Sequence, residues 1–127
     1  MRKRKVTAGA TVLTLVGLTL AAPPGGGAAE VQDSYQLKGQ VYPTSFKIDM
    51  KTRAGSKLVS VKAGTYRIKV EDPSTIHNFR LKGLGVNKAT SVVGKTERVW
   101  TVTLKKGIYK FVCDPHATTM RGTFRVT

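Results

Sequence analysis

The sequence is poor in the residues that build most enzyme sites. It has one cysteine and two histidines in 127 residues. A single cysteine cannot close an internal disulfide. No Ser-His-Asp or paired-carboxylate arrangement is suggested, so hydrolytic chemistry of those kinds has no basis here. Acidic residues are scarce, 7 against 22 basic ones. No stretch of useful length carries a helical period, which argues against a helix bundle. There is no internal repeat, and no low-complexity stretch outside the N-terminal segment. The length is that of one domain.

The long uncharged run lies at the N-terminus. Arg2-Lys3-Arg4-Lys5 forms a basic opening, and Val6 to Ala22 follow without a charge. Small residues come next, ending Gly27-Ala28-Ala29 before Glu30. This is the layout of a secretory signal peptide over residues 1–29, with cleavage after Ala29 or, as a second option, after Ala22. An uncleaved membrane anchor is the alternative, although the run is barely long enough to span a bilayer. The domain proper is then residues 30–127, secreted or periplasmic, and the leader looks bacterial. Loss of the leader removes four basic and no acidic residues, leaving 18 against 7 and a net charge of +11. Export makes the lone thiol a liability. A metal ligand is one good reason to keep it, and a small buried hydrophobe is the other reading.

Beyond residue 34 the pattern is alternation, the signature of strands. Leu37, Gly39 and Val41 share one face, and Phe46, Ile48 and Met50 share another, with Met50 read as core. A short strand is expected over Leu58 to Val61, then Tyr66, Ile68 and Val70 alternate with Arg67 and Lys69. Glu71-Asp72-Pro73-Ser74 reads as a polar break. In Thr75 to Leu81, His77, Phe79 and Leu81 point the same way, so His77 faces inward at a strand end. A hydrogen-bonded core histidine is the plainer reading of His77 alone. Lys82 to Gly94 has three glycines and no clear period, and reads as a long connection. Trp100, Val102 and Leu104 share a core face. Tyr109, Phe111 and Cys113 share the next, and Arg121 to Thr127 closes the set. Seven or eight short strands with turns between them point to an all-β, Greek-key sandwich.

The chemistry is concentrated in Cys113-Asp114-Pro115-His116 and Met120. Cys113 and His116 are separated by two residues and His116 and Met120 by three, so one tight loop can turn all three toward a point. Pro115 fixes its own φ and restricts Asp114 to an extended conformation, which stiffens the link. With His77 the set is two imidazoles, a thiolate and a thioether, the ligands of a blue-copper site. Soft sulfur suits Cu(I), and imidazole suits both oxidation states.

The run Gly107-Ile108-Tyr109-Lys110-Phe111-Val112-Cys113-Asp114-Pro115-His116 resembles the ligand loop of the small blue-copper proteins, the plastocyanin and amicyanin branch of the cupredoxins. Met120-Arg121-Gly122 is similar to the start of the amicyanin closing strand, His77-Asn78 to the upstream His-Asn, and Lys62-Ala63-Gly64 to an earlier turn. The resemblance implies a cupredoxin sandwich, one type 1 copper per chain and one-electron transfer. It implies that Asn78 hydrogen-bonds the ligand loop and that His116 is the partly exposed ligand through which electrons leave. Two departures stand out. The His116-to-Met120 gap lies between the amicyanin and plastocyanin lengths, and Asp114 replaces the usual Ser or Thr. A carboxylate beside the thiolate should lower the reduction potential unless it is solvated.

Strand-face cations such as Lys38, Lys47, Arg67, Lys69 and Arg125 also guard sheet edges. A net charge of +11 nonetheless steers partners. A monomer meeting an acidic redox partner is expected, with an anionic cell envelope as a further associate. Nucleic acid fits the charge but not the leader, and no aromatic-basic motif is present. Three functions compete: a soluble electron carrier, extracytoplasmic copper binding and delivery, and a metal-free binding sandwich. An enzyme is not expected, because multicopper oxidases need many more histidines in His-x-His pairs.

Overall fold

The computed structural model describes residues 34–127. The expected leader, residues 1–29, lies outside the described residues. Within them run nine strands and one 3-10 turn, Asp114–His116. The strands are β1 (Leu37–Val41), β2 (Ile48–Thr52), β3 (Ser60–Val61), β4 (Gly64–Asp72), β5 (Arg80–Gly83), β6 (Val86–Ala89), β7 (Thr96–Leu104), β8 (Gly107–Val112) and β9 (Arg121–Val126). They form a four-stranded sheet, β2-β1-β4-β7, and a five-stranded sheet, β3-β9-β8-β5-β6. Pairing is antiparallel except for β1 with β4 and β3 with β9. The all-β sandwich read from alternation is therefore present, and no described helix is long and apolar enough to cross a membrane.

Period two does most of the building. Along β4, Ile68 and Val70 are buried, and along β7 Trp100, Val102 and Leu104 are. These two strands pair over nine residues, from Gly64↔Leu104 to Asp72↔Thr96. The opposite sheet contributes Leu81, Tyr109, Phe111, Phe124 and Val126. Between the layers Phe79 and Phe111 stack, with centroids 6.2 Å apart and planes 5° from parallel. The Trp100 and Phe79 ring centroids are also 6.2 Å apart, with the planes tilted by 53°. Met50 is buried in this core, as its mid-strand position predicts.

Three expectations change. The stretch Lys82 to Gly94 is not a plain connection, because it holds β6, which pairs with β5 from Arg80↔Ala89 to Gly83↔Val86. Its signal is weak since β6 is an edge strand with Val86 as its one buried residue. The turn that makes the hairpin uses Gly85 at φ +70°, a conformation glycine adopts freely. Second, Phe46 is not a core residue. β2 starts at Ile48, and Phe46 is 62% exposed. Third, the strand expected from Thr75 begins only at Arg80, and His77 lies in an irregular segment ahead of it.

Candidate metal centre

β8 delivers the cysteine. Tyr109 and Phe111 point inward, and Cys113 continues the strand as a fully buried residue with φ −93° and ψ 118°. The Cys113 carbonyl then accepts the His116 amide at 3.1 Å, which folds Asp114 and Pro115 into the 3-10 turn. The extended residue is thus Cys113, and Asp114 opens the turn rather than extending the strand. The Met120 amide donates to the His116 carbonyl at 2.8 Å, and the Cys113 amide donates to the Met120 carbonyl at 3.0 Å. These bonds close the loop on itself and bring Met120, fully buried, beside Cys113.

His77 comes from the other side through a buried polar truss. Its amide and that of Ile76 donate to Ser74 Oγ at 3.0 and 3.1 Å. The Ser74 amide donates to Asp72 Oδ1, and Thr90 Oγ1 donates to Asp72 Oδ2. Thr90 Oγ1 accepts the Phe79 amide at 2.8 Å. Burial pushes the Asp72 carboxyl above the usual carboxylate range, against these hydrogen bonds. Asp72-Pro73-Ser74 was expected only to interrupt a strand. Asp and Ser are in fact the residues whose short side chains bind nearby backbone amides, and here they fix the approach to His77.

Asn78 ties that segment to the ligand loop. Its Oδ1 accepts the Asp114 amide at 2.7 Å, and its Nδ2 donates to Asp114 Oδ2 at 2.8 Å. Its own amide points at Cys113 Sγ, 3.5 Å away. All these groups are held by strands of a single sandwich, so the site exists only in the folded protein.

The donor atoms converge. His77 Nδ1 and His116 Nδ1 are 3.0 Å apart, and Cys113 Sγ lies 3.8 Å from the first and 3.6 Å from the second. Donors that share one ion at about 2.0 Å from nitrogen and about 2.3 Å from sulfur are separated by about these distances. The set fits a type 1 copper site, with Met120 nearby for the weak axial position. His77 is buried, and burial, followed by the neighbouring His116, holds its pKa below the ordinary histidine value. That favours the neutral imidazole a metal needs. The nearby Asp72 carboxyl and then a hydrogen bond to the Ser45 backbone act in the other direction.

Arg80 drew no reading from the sequence. Its Nε lies 2.8 Å from Asp114 Oδ1 and 3.0 Å from Oδ2, and Nη2 lies 2.9 Å from Oδ2. Nη1 donates to Asn87 Oδ1 at 2.7 Å. The Arg80 guanidinium, with help from Asn78, holds the Asp114 carboxyl below its usual range. The carboxylate beside the thiolate is therefore paired with a cation, which should offset the lowering of potential expected from Asp114 alone. Arg80→Gln should expose that charge and lower the midpoint potential by tens of millivolts, on the order of a unit charge acting through partly solvated protein. Voltammetry of the two proteins checks this, and an unchanged or higher potential would refute it.

Phe46 is the other residue missed. Its ring meets both imidazoles edge-on, with centroids 5.5 Å from His77 and 4.9 Å from His116. Alternation placed it in the core because one aromatic in register with Ile48 and Met50 looks the same whether the strand has begun or not.

Comparison with known proteins agrees with this geometry. Residues 45–127 match the family described as copper binding proteins, plastocyanin/azurin family. Among solved structures the chain is similar to reduced rusticyanin, with 18% identity and a TM-score of 0.53 over 72% of this chain and 77% of that one. A methionine-to-glutamine variant of rusticyanin gives 18% and 0.52 over 72% and 76%. At such identity these likenesses speak for the fold. None of the curated proteins matches the sequence. By its family match, its sandwich and its His-Cys-His cluster, the chain belongs to the plastocyanin/azurin family of copper binding proteins.

Proposed function

We propose that this chain is an extracytoplasmic one-electron carrier whose ligands are His77, His116 and Cys113, with Met120 as the weak axial fourth. Bound copper supplies the one-electron couple. The chain supplies fixed positions. The observation that carries the reading is the anchoring of each donor segment: His77 by Ser74 and Asp72, and the loop by Asn78 and by its own backbone bonds. Ligands that cannot move give a low barrier to changing oxidation state, which a carrier needs. Cys113, His77 and Met120 are buried, while His116 is only partly so. Its imidazole edge, beside the exposed Phe46, is where a redox partner would approach.

The test is repeated reduction and reoxidation by small inorganic reagents, with copper content followed by mass spectrometry. A carrier keeps its copper through many cycles and reacts fast in both directions. Loss of copper to a chelator on reduction would assign delivery instead. The charge adds a second expectation. The net positive field should speed reaction with an anionic oxidant such as ferricyanide, and the rate should fall steeply as salt is raised. A rate flat in salt would remove the case for an acidic redox partner.

A further inference from the structure

The two sheets differ in how their surface charge is balanced. On the four-stranded sheet, Lys38 pairs with Glu71, Lys69 with Glu71 and Glu97, and Lys47 and Lys51 flank Asp49. None of the five strands of the other sheet contains an Asp or Glu. Its inward positions include Leu81, Tyr109, Phe111, Phe124 and Val126, so the alternating residues face out, of which Val112 alone on β8 is buried. Those include Lys82, Lys110, Arg121 and Arg125, all exposed. Lys82 lies directly across from Lys110, and Lys110 across from Thr123. Among the described residues none of these four cations forms an ion pair; Asp114 beside this face is bound by Arg80, and Lys82 adds only a longer-range attraction to it. Ile108, directly across from Arg125, is 56% exposed on the same face. Leu84, 55% exposed, follows at the adjoining turn.

We infer that the outer face of the five-stranded sheet is a docking surface for an anionic lipid membrane. Charge complementarity decides the sign of the partner. The choice of lipid follows from the form of the face. It is a sheet of unpaired cations with two exposed apolar side chains at its end away from the ligand loop. A headgroup layer supplies negative charge without register, and apolar side chains enter its boundary. The ligand loop follows the last β8–β9 pair, Val112↔Arg121, at one end of the strands. Docking by the face therefore leaves His116 free at the side. The inference does not rest on the metal site and would stand if that reading failed.

The experiment is co-sedimentation of the full chain with vesicles of phosphatidylcholine alone and of phosphatidylcholine containing about a third phosphatidylglycerol. Lys110→Gln/Arg125→Gln is compared with Lys38→Gln/Lys69→Gln in the same background, so that any contribution of the basic N-terminus cancels. Binding is expected to be tighter with the anionic vesicles than with phosphatidylcholine alone. At about 1 kcal/mol per cation near such a surface, the first double variant should bind roughly thirtyfold more weakly. The second should change little. Equal weakening in both variants would mean net charge rather than this face. No binding to anionic vesicles, or full binding by the first variant, would overturn the proposal. Tighter binding to soluble polyglutamate than to vesicles, lost in the first variant, would also overturn it and assign the face to an acidic protein.

Discussion

Cys113→Ser is expected to abolish the intense blue thiolate-to-copper absorption of the Cu(II) protein and, with it, the stabilisation that copper confers. The sulfur sits 3.8 and 3.6 Å from the two imidazole nitrogens and is fully buried, so no other group can take its place. Serine is close in size and should leave the fold standing. The hydroxyl is a poor ligand for soft Cu(I). A ligand that binds only the native state stabilises it by about 4 kcal/mol at a thousand times its Kd. For a domain of this size that is a rise in Tm on the order of 15–30 °C. Thermal melts with and without copper should show this rise in the parent and little of it in the variant. A variant that keeps both the band and the shift would show that Cys113 is not a ligand.

Gly122→Ala should cost nearly as much through packing alone. Gly122 is the cross-strand partner of Phe111, and a Cβ there would collide with the Phe111 ring. The ring cannot retreat, because it stacks on Phe79, which contacts Trp100 in turn. Overpacking a fixed core costs about 1–3 kcal/mol, and the rigidity of this stack favours the upper end. The expected fall in Tm is then about 12–24 °C. Phe111→Leu in the same chain should recover part of the loss, since the smaller side chain vacates the space. Calorimetry on the two single variants and the double variant checks this. Additive losses would mean that the two side chains do not compete. The blue spectrum should suffer too, because Phe111 stands two residues before Cys113.

Much of this protein could be read from residue order. The sandwich followed from alternation, and the faces of β4, β7, β8 and β9 came out as expected because each buries at least two residues at alternate positions. The donor set was visible because Cys113, His116 and Met120 share one short loop and carry unmistakable chemistry. What stayed hidden has a common cause. Arg80, Asn87 and Asp114 meet across three different segments, and a basic residue on a strand gives no sign of its carboxylate. Asp72 and Ser74 looked like solvent-facing punctuation, since a buried polar truss and an exposed turn use the same amino acids. β6 was missed because an edge strand buries little. Phe46 was misplaced because the sequence does not mark the residue at which a strand begins.

The reciprocal hydrogen bonds between Asn78 and Asp114 have a consequence for the order of events as the chain folds. They join residues 36 apart in sequence, and they form only when β5 docks on β8. The bonds within the Cys113–Met120 loop span at most seven residues and can form early. Long-range pairings are slow to close, the more so in sheets with parallel members, such as β3 with β9 in this one. A chain in which this loop closes before β5 docks would present Cys113 and His116 without His77. An ion arriving then would meet a thiolate and one imidazole, without the second histidine that completes the set. Selection among metals would be exercised when β5 closes and His77 arrives, so the assembly of the sheet is also the last step in building the site.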